Sequence, residues 1–252
     1  MENWGGGTPL LARWTTDFDC GKETDWWYVI KDTPFDISEL KAKRRYEINR
    51  GNKNFRVIKI TPYDYREELY NVQVAAFSAY PRKYRPVVVR ENFISDVNKW
   101  SEYTVFAAFL RETGEMSGYA LLSQKHSNCV DFMVLKTKPE YERLSVNASL
   151  ISEILNYYHG FLADGGYICD GARSINHETA FQDYLEKYFG FRKAYCHLHI
   201  QYNPQIKWLI KVLFQLRKIL SLFDGIGFVH QINSVIKMEE ICRSDMILRE
   251  VS

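Results

Sequence analysis

The 252-residue sequence lacks several features that mark specialised classes of protein. Its five cysteines are widely spaced, contain no CxxC pair and are odd in number. That spacing argues against a zinc module and against a complete disulfide framework, so reduced thiols are expected. No apolar run approaches the roughly 20 residues that a membrane-spanning helix needs. No repeat of fixed period is present, which excludes solenoid architectures.

An excess of charge of one sign is also missing. The chain has 33 basic and 31 acidic residues, for a net charge of +2, so total charge gives no argument for nucleic-acid binding. The first residues, MENWGGGTPLLARW, lack the cationic flank and apolar core of a secretory signal, and a cytoplasmic location is expected. Hydrophobic residues make up 46% of the chain and aromatic residues 15%, which indicates a folded core and excludes a disordered chain.

Apolar periodicity and turn residues predict a mixed order of strands and helices. Residues 1–24 are expected to form an irregular arm, and DWWYVI (25–30) a short strand. A basic helix over about 39–50 would be capped by Ser38 and ended by Gly51. The elements expected from residue 55 onward are a strand (55–60), two helices (63–78, 89–99), three strands (103–110, 117–123, 129–135), a long helix (145–160), a strand (167–170), a helix capped by Asn176 and a strand (192–202).

This order predicts an α/β (α+β) fold with a mostly antiparallel sheet. The three strands between 103 and 135 have short polar connections and form a meander. The single helix between strands 129–135 and 167–170 is a crossover, so these two strands are expected to be parallel. Where such a pair diverges, the helix N-terminus would face the gap and attract a phosphate. We expect an N-terminal segment (1–54), a central domain (55–202) and a C-terminal helical extension (203–252).

The stretch from Leu135 to Ala148 (LKTKPEYERLSVNA) resembles the donor-binding motif of the GNAT (Gcn5-related N-acetyltransferase) superfamily, V-x-P-x-x-R/Q-x-x-G-x-G/A. Pro139 is in register, whereas Glu142 replaces the usual Arg or Gln, and Ser145 and Asn147 replace the two glycines. The resemblance implies a GNAT fold and acetyl-CoA or another acyl-CoA as donor. The residues it assigns to the cofactor are Leu135, Lys136, Thr137, Lys138, Ser145, Val146, Asn147, Ala148 and Asn176.

A second partial match lies in NHETAFQDYLEKYFGF (176–191), which resembles the family pattern N-x-x-A-x-x-L-Y-E-K-x-G-F. Counting back from Gly190 puts Glu186 where the family has its general acid, with Tyr184 close by. The segment DISELKAKRRYEINRGNKNFRV (36–57) is similar to the region that precedes the acyltransferase half of Fem-like and polysaccharide-cluster members. A role in polysaccharide biosynthesis is one implication.

The loop after strand 167–170 carries the densest set of reactive side chains. His177 could remove a proton from an amine, with Asp170 or Glu178 orienting it, because a general base works best with a near-neutral pKa. The alternative is that these residues only cap the next helix. Arg82, Lys83, Arg85 and Arg173 are assigned to an anionic or sugar-like acceptor, with a solvated face as the alternative.

Two further groups of residues invite a functional interpretation. His197 and His199 share one strand face, but no third ligand has metal-site spacing, and Cys169 has no neighbour that would activate a thiol. PQIKWLIKVLFQLRKILSLF (204–223) is amphipathic and basic. It either lies on an anionic membrane surface or, as we favour here, packs on its own domain or a partner subunit.

These observations predict an acyltransferase that moves an acyl group from coenzyme A to an amine or hydroxyl of a small or sugar-like acceptor. One alternative is a non-catalytic binding or assembly protein that kept the fold but lost its cofactor loop. Another is a Fem-like transferase that uses aminoacyl-tRNA, which would be the only use of nucleic acid.

Overall fold

The computed structural model describes residues 9–80, 82, 85–175 and 180–251, with the side chains of all of these except Lys125 and residues 246–251. The chain forms two compact units. The first comprises the N-terminal residues to Val29, Ala172–Asp183 and the residues from Lys193 onward, and the second comprises Ile30–Gly171 and Tyr184–Arg192.

The described residues form strands, α-helices and short 3-10 segments. The strands are β1 (Leu11–Thr16), β2 (Trp26–Lys31), β3 (Phe55–Ile60), β4 (Thr104–Leu110), β5 (Met116–His126), β6 (Cys129–Thr137), β7 (Tyr167–Ala172) and β8 (Arg192–Tyr202). The α-helices are α1 (Ala42–Asn54), α2 (Arg66–Ser78), α3 (Arg90–Val97), α4 (Val146–Tyr157), α5 (His159–Ala163), α6 (Ala180–Phe189), α7 (Pro204–Gln215), α8 (Arg217–Leu220) and α9 (Gly227–Val251). The 3-10 segments are Ile37–Glu39, Pro62–Tyr65, Trp100–Glu102, Pro139–Leu144 and Ser221–Phe223.

The second unit is built on strands in the order β3-β4-β5-β6-β7. The pairs from β3 to β6 are antiparallel, because short connections join β4, β5 and β6. The pair β6–β7 is parallel, because α4 and α5 form the crossover between them. The predicted meander, the parallel pair and the mixed, mostly antiparallel fold class are therefore confirmed.

Strand β4 shows how the second unit fills both faces of its strands. Successive side chains of a strand point to opposite faces. Val105 and Ala107 belong to the buried cluster that includes Leu69 of α2, whereas Phe106 contacts the ring of Tyr157 in α4. β4 is buried almost throughout because helices cover both of its faces.

In the first unit, β8 lies between β1 and β2, and it is antiparallel to β1. The strand predicted over 192–202 is confirmed, and its alternate residues Ala194, Cys196 and Leu198 are buried. Cys196 and Leu198 form a core with Trp26 of β2 and with α9. The predicted helix in the C-terminal tail is α9, which packs against β8 through its apolar side chains.

Several local predictions were wrong. Residues 11–16 are a strand rather than part of an irregular arm, because β8, distant in sequence, supplies their hydrogen-bond partners. Ser38 is not a cap, since Asp36 accepts a 2.7 Å hydrogen bond from the Ser38 amide. Gly51 does not end the basic helix but lies inside α1, where close packing requires it. The helix predicted over 145–160 ends at Tyr157 and is followed by α5.

Candidate functional site

The most distinctive feature of the second unit is the point where β6 and β7 separate. Their parallel ladder has three residue pairs, from Cys129 with Tyr167 to Asp131 with Cys169. β6 then runs on to Thr137, and in the part of the chain that the structure describes, its last six residues have no ladder partner in β7. The two strands therefore stop pairing part-way along β6, and we call the region beyond their last pair the opening between β6 and β7.

A β-bulge lies at this opening. The register between β5 and β6 shifts from Leu121 with Val134 to Leu122 with Phe132, which leaves Met133 as an extra residue in β6. A bulge bends its strand and increases its local twist. The extra residue, Met133, comes two residues after Asp131, the last residue of β6 that pairs with β7.

The N-terminus of α4 lies just after the end of β6. Ser145 begins the helix with φ 66° and ψ 38°, in the left-handed region that usually calls for glycine. No side chain caps this end of the helix. The first amides of a helix have no intrahelical partner, and amides of this kind can bind phosphate. Here they belong to Val146, Asn147 and Ala148, of which Val146 and Ala148 are buried and Asn147 is half-buried.

Two side-chain hydrogen bonds hold the head of α4 in place. Thr137 Oγ1 at the end of β6 donates to Asn147 Oδ1 over 3.0 Å. Ser149 Oγ donates to Asn52 Oδ1 of α1 over 2.8 Å. α1 comes so close that a Cβ on Gly51 would lie 2.6 Å from the Ser145 carbonyl oxygen. The helix head, the last residues of β6 and α1 thus form one rigid arrangement.

Several charged side chains at the end of β6 and in the segment before α4 form ion pairs, hydrogen bonds or cation–π contacts. Lys138 forms an ion pair with Glu115, and Tyr141 donates a 2.6 Å hydrogen bond to the same carboxylate. The bond from Lys138 and then that from Tyr141 lower the pKa of Glu115, and the carboxylate raises the pKa of Tyr141 to about 12. Lys136 lies 4.7 Å above the ring of Phe77. Glu142, which replaces a basic residue of the family motif, is exposed.

Sequence reasoning missed the role of Glu115. The chain 111–116 looks like a polar connection, and nothing in it distinguishes this carboxylate from a solvated one. Only the antiparallel register of β5 and β6 brings Glu115 next to Lys138 and Tyr141, which follow β6 by one and four residues. An ion pair between residues this far apart in sequence cannot be predicted from the spacing of nearby residues.

The predicted catalytic residues fall in different places. His177, Asn176 and Glu178 lie outside the described residues. Asp170 belongs to β7, near its carboxyl end, which for parallel strands is the same edge as the end of β6. Glu186 is half-buried on α6.

Tyr184, also on α6, packs against the guanidinium group of Arg44. The guanidinium carbon of Arg44 lies 5.3 Å from the Tyr184 ring centre and 3.4 Å from that of Tyr188. Burial raises the pKa of Tyr184 to about 12, so its phenol keeps its proton at neutral pH. A neutral phenol of this kind is able to donate a proton.

The residues assigned to the acceptor are not brought together as a set. Arg82 is exposed, and Lys83 lies outside the described residues. Arg85 donates to the carbonyl oxygens of Ser78 (2.6 Å) and Tyr80 (3.2 Å) at the end of α2.

Arg173 belongs to the first unit. It lies 4.3 Å above Trp27, donates a 2.6 Å hydrogen bond to the carbonyl of Asp25, and has its pKa lowered by burial.

The histidines and the cysteine considered at the sequence level have other partners. His199 stacks on Trp14 and lies 2.9 Å from Thr16 Oγ1. His197 Nδ1 lies 3.4 Å from a carboxylate oxygen of Asp245. Within the described residues, no three His, Cys, Asp or Glu side chains are arranged to hold a metal ion. Burial raises the pKa of Cys169 to about 12, the opposite of what a nucleophilic thiol needs.

Neither a protein-family model nor a curated protein sequence matches the chain. Among solved structures, a conserved protein of unknown function from Bacteroides thetaiotaomicron is similar over 76% of this chain and 62% of its own, with a TM-score of 0.52 and 12% identity. A GCN5-related N-acetyltransferase-like protein from Streptococcus suis is similar over 77% of this chain and 63% of its own, with a TM-score of 0.40 and 12% identity.

L-PGS from Bacillus licheniformis is similar over 81% of this chain and 66% of its own, with a TM-score of 0.48 and 10% identity. The chain therefore spans about two thirds of the length of these structures, or slightly less.

Proposed function

We propose that the chain is an acyltransferase whose donor site is the opening between β6 and β7. It would move an acyl group from coenzyme A to an amine or hydroxyl of a small or sugar-like acceptor. The observation that supports this most is the short parallel ladder of three pairs, beyond which β6 continues without β7 to Thr137, the residue that contacts the uncapped head of α4. An opening of this kind offers unpaired strand backbone to an acyl group and free helix amides to a diphosphate.

Two stretches of backbone would bind the donor. Alternate main-chain N–H groups in Leu135–Lys138 would face the opening and polarise the thioester carbonyl as negative charge develops on its oxygen. The amides of Ser145–Ala148 would receive the diphosphate. Ser145 supports this role, because it already has the positive φ for which the family motif uses glycine.

The chemistry is direct acyl transfer. The acceptor nitrogen or oxygen attacks the thioester carbonyl carbon, the carbon–sulfur bond breaks, and the sulfur leaves as a thiolate that must gain a proton. Tyr184 is our proposed proton donor to that thiolate, because a phenol carries its proton at neutral pH; Glu186 is the alternative. His177 stays our proposed base for the proton that the acceptor loses.

The acceptor site is proposed with fewer residues than the sequence indicated. Arg82 and Lys83 keep the role of attracting an anionic acceptor. Arg85 is instead expected to stabilise the end of α2, since two backbone carbonyls already occupy its guanidinium. For Arg173 the contacts with Trp27 and Asp25 favour a structural role in the first unit.

Donor binding can be tested with a pair of matched substitutions in α4. Asn147→Asp keeps an oxygen that accepts from Thr137 and adds a negative charge that suits a helix N-terminus. The same charge repels a diphosphate. Asn156→Asp adds an identical charge about 13 Å further along the helix axis, beyond the Debye length of about 8 Å at physiological salt.

We expect calorimetry to give a Kd for acetyl-CoA near 1 μM, a value that corresponds to about −8 kcal/mol. Asn147→Asp should weaken binding by about tenfold or more at unchanged thermal stability, since about 1.4 kcal/mol of repulsion suffices. Asn156→Asp should bind like the parent. Equal loss in both variants, or equal binding in both, would contradict the proposed position of the diphosphate.

The non-catalytic alternative rests on the loss of both motif glycines at Ser145 and Asn147. It predicts no thermal shift at millimolar acetyl-CoA and none with other acyl-CoA thioesters. If no acyl-CoA binds and the protein retains aminoacylated but not uncharged tRNA in a filter-binding assay, the Fem-like alternative replaces both the coenzyme A-dependent and the non-catalytic hypotheses.

A further inference from the structure

The segment that follows β8 leaves a continuous row of large apolar side chains exposed. On α7 and α8 they recur at helical spacing and lie on one side of the helices. In the turn before α9 the exposed apolar residues continue. We call this set the apolar stripe; its members are Trp208, Leu209, Val212, Leu216, Ile219, Leu222, Phe223, Ile226 and Phe228. Trp208 is 72% exposed and Leu222 is 79% exposed, and exposed apolar patches of this extent usually mark a binding surface.

A row of lysines runs along the apolar stripe. Lys207 directly precedes Trp208, Lys211 precedes Val212, and Lys218 precedes Ile219. All three lysines are exposed, and in the described part of the chain none has an acidic partner. Because adjacent residues of a helix are rotated by about 100°, the lysines form a second row beside the stripe.

The opposite side of α7 and α8 already has its partner. Ile210 is buried, Arg217 forms a 3.0 Å ion pair with Glu240 of α9, and Arg243 of α9 lies 4.0 Å above Phe214. The helices therefore pack on α9 through one side only. The expectation that the whole amphipathic segment packs on its own domain accounts for this inner side and leaves the apolar stripe uncovered.

We propose that the apolar stripe and its lysine row bind the surface of an anionic lipid bilayer. The helices would lie in the plane of the interface, with the stripe among the upper acyl chains and the lysines extended toward lipid phosphates. Tryptophan suits this depth, because its ring is apolar and its N–H polar. None of the helices in the described residues is both long and apolar enough to span a bilayer, so the segment would bind at the surface.

Charge distinguishes a lipid surface from a protein partner. Between residues 204 and 228 there are four basic residues, and the single acidic residue, Asp224, contacts His230 (2.8 Å) and Asn233 (2.7 Å). The surface presented is therefore apolar and positive. Protein–protein interfaces are depleted of lysine, whereas helices that bind membranes carry lysine next to their apolar side. The inference does not depend on the proposed acyl transfer.

The test is flotation of the full chain with vesicles of phosphatidylcholine alone and with about 30% phosphatidylglycerol. We expect binding to the anionic vesicles that weakens as salt is raised to about 1 M, where the Debye length is about 3 Å. Replacing Lys207, Lys211 and Lys218 by Gln should lower the partition coefficient about fivefold per lysine, or roughly a hundredfold together.

Two further variants complete the experiment. The exposed lysines Lys41, Lys43 and Lys53 of the α1 region, replaced by Gln, change the net charge equally and should leave binding as in the parent. Trp208→Ser with Leu216→Ser should abolish binding while circular dichroism stays unchanged.

Absence of flotation, or equal loss in both lysine triples, would overturn the proposal. So would self-association of the parent chain that the two serine substitutions abolish, because a second copy would then cover the stripe.

Discussion

Replacing Gly51 by alanine should destabilise the protein, although alanine normally stabilises the interior of a helix by about 1 kcal/mol relative to glycine. The added Cβ would lie 2.6 Å from the carbonyl oxygen of Ser145 and 3.0 Å from Cβ of Ser149. Both atoms belong to α4 or its N-terminus, and the oxygen is backbone, so neither can rotate away. One of the two helices must shift.

The magnitude follows from two opposing contributions. Overpacking costs about 1–3 kcal/mol, and a contact with a backbone atom that cannot rotate away falls in the upper part of that range, at about 2–3 kcal/mol. The gain in helix propensity offsets about 1 kcal/mol of it. We expect a net loss of about 1–2 kcal/mol, or about 2–8 °C in Tm for a chain of this size. Differential scanning calorimetry measures this directly. Because the shift displaces the head of α4, the affinity for acetyl-CoA should fall in the same variant.

A second helical glycine provides the control. Gly160 lies in α5, and a Cβ there would have no atom within 4 Å. Gly160→Ala should therefore raise Tm by about 2–4 °C, in line with helix propensity alone. If Gly51→Ala is neutral or stabilising as well, the close contact between α1 and α4 does not exist in solution, and the arrangement of the helix head is wrong.

Three shorter predictions follow. Ser145→Gly should raise stability by about 1 kcal/mol by removing left-handed strain, and should tighten acetyl-CoA binding; a lower Tm would contradict it. Asp245 is buried without a hydrogen-bond partner for its carboxylate in the described structure, so Asp245→Asn should stabilise by about 1–3 kcal/mol, whereas a loss would indicate that the contact of Asp245 with His197 is stabilising. The lowered pKa of Glu115 stabilises the folded state at pH values above its unfolded pKa of about 4.3, and this stabilisation is lost as the pH falls through the folded pKa. Lys138→Met should therefore reduce the dependence of the free energy of unfolding on pH in this acid range, as measured by urea titrations.

Much of the second unit could be predicted from local pattern. The alternation in FRVIKI, the short polar turns of the meander and the apolar repeat in α4 each act within a few residues. β1 could not be predicted in this way, since most of its side chains are exposed and β8, more than 180 residues away, supplies its hydrogen bonds. Gly51 was predicted to end the basic helix for a related reason. Its close contact is with α4, about 95 residues away, and local sequence does not show that contact.

The candidate site divides in the same manner. The parallel pairing of β6 and β7 follows from topology, since a single helical connection between neighbouring strands makes them parallel. The bulge at Met133, the contact of Thr137 with Asn147 and the ion pair at Glu115 depend on register or on side-chain direction, and spacing along the chain contains neither.

The positive φ of Ser145 has a consequence for how turns of this shape are recognised from sequence. A positive φ there is maintained by the surrounding helices, with a serine in place of glycine. The turn requires a positive φ, and residues other than glycine can adopt it when tertiary packing offsets the backbone strain. A turn of this shape can therefore form in a sequence that has no glycine at that position, and only the backbone torsion angles then reveal it.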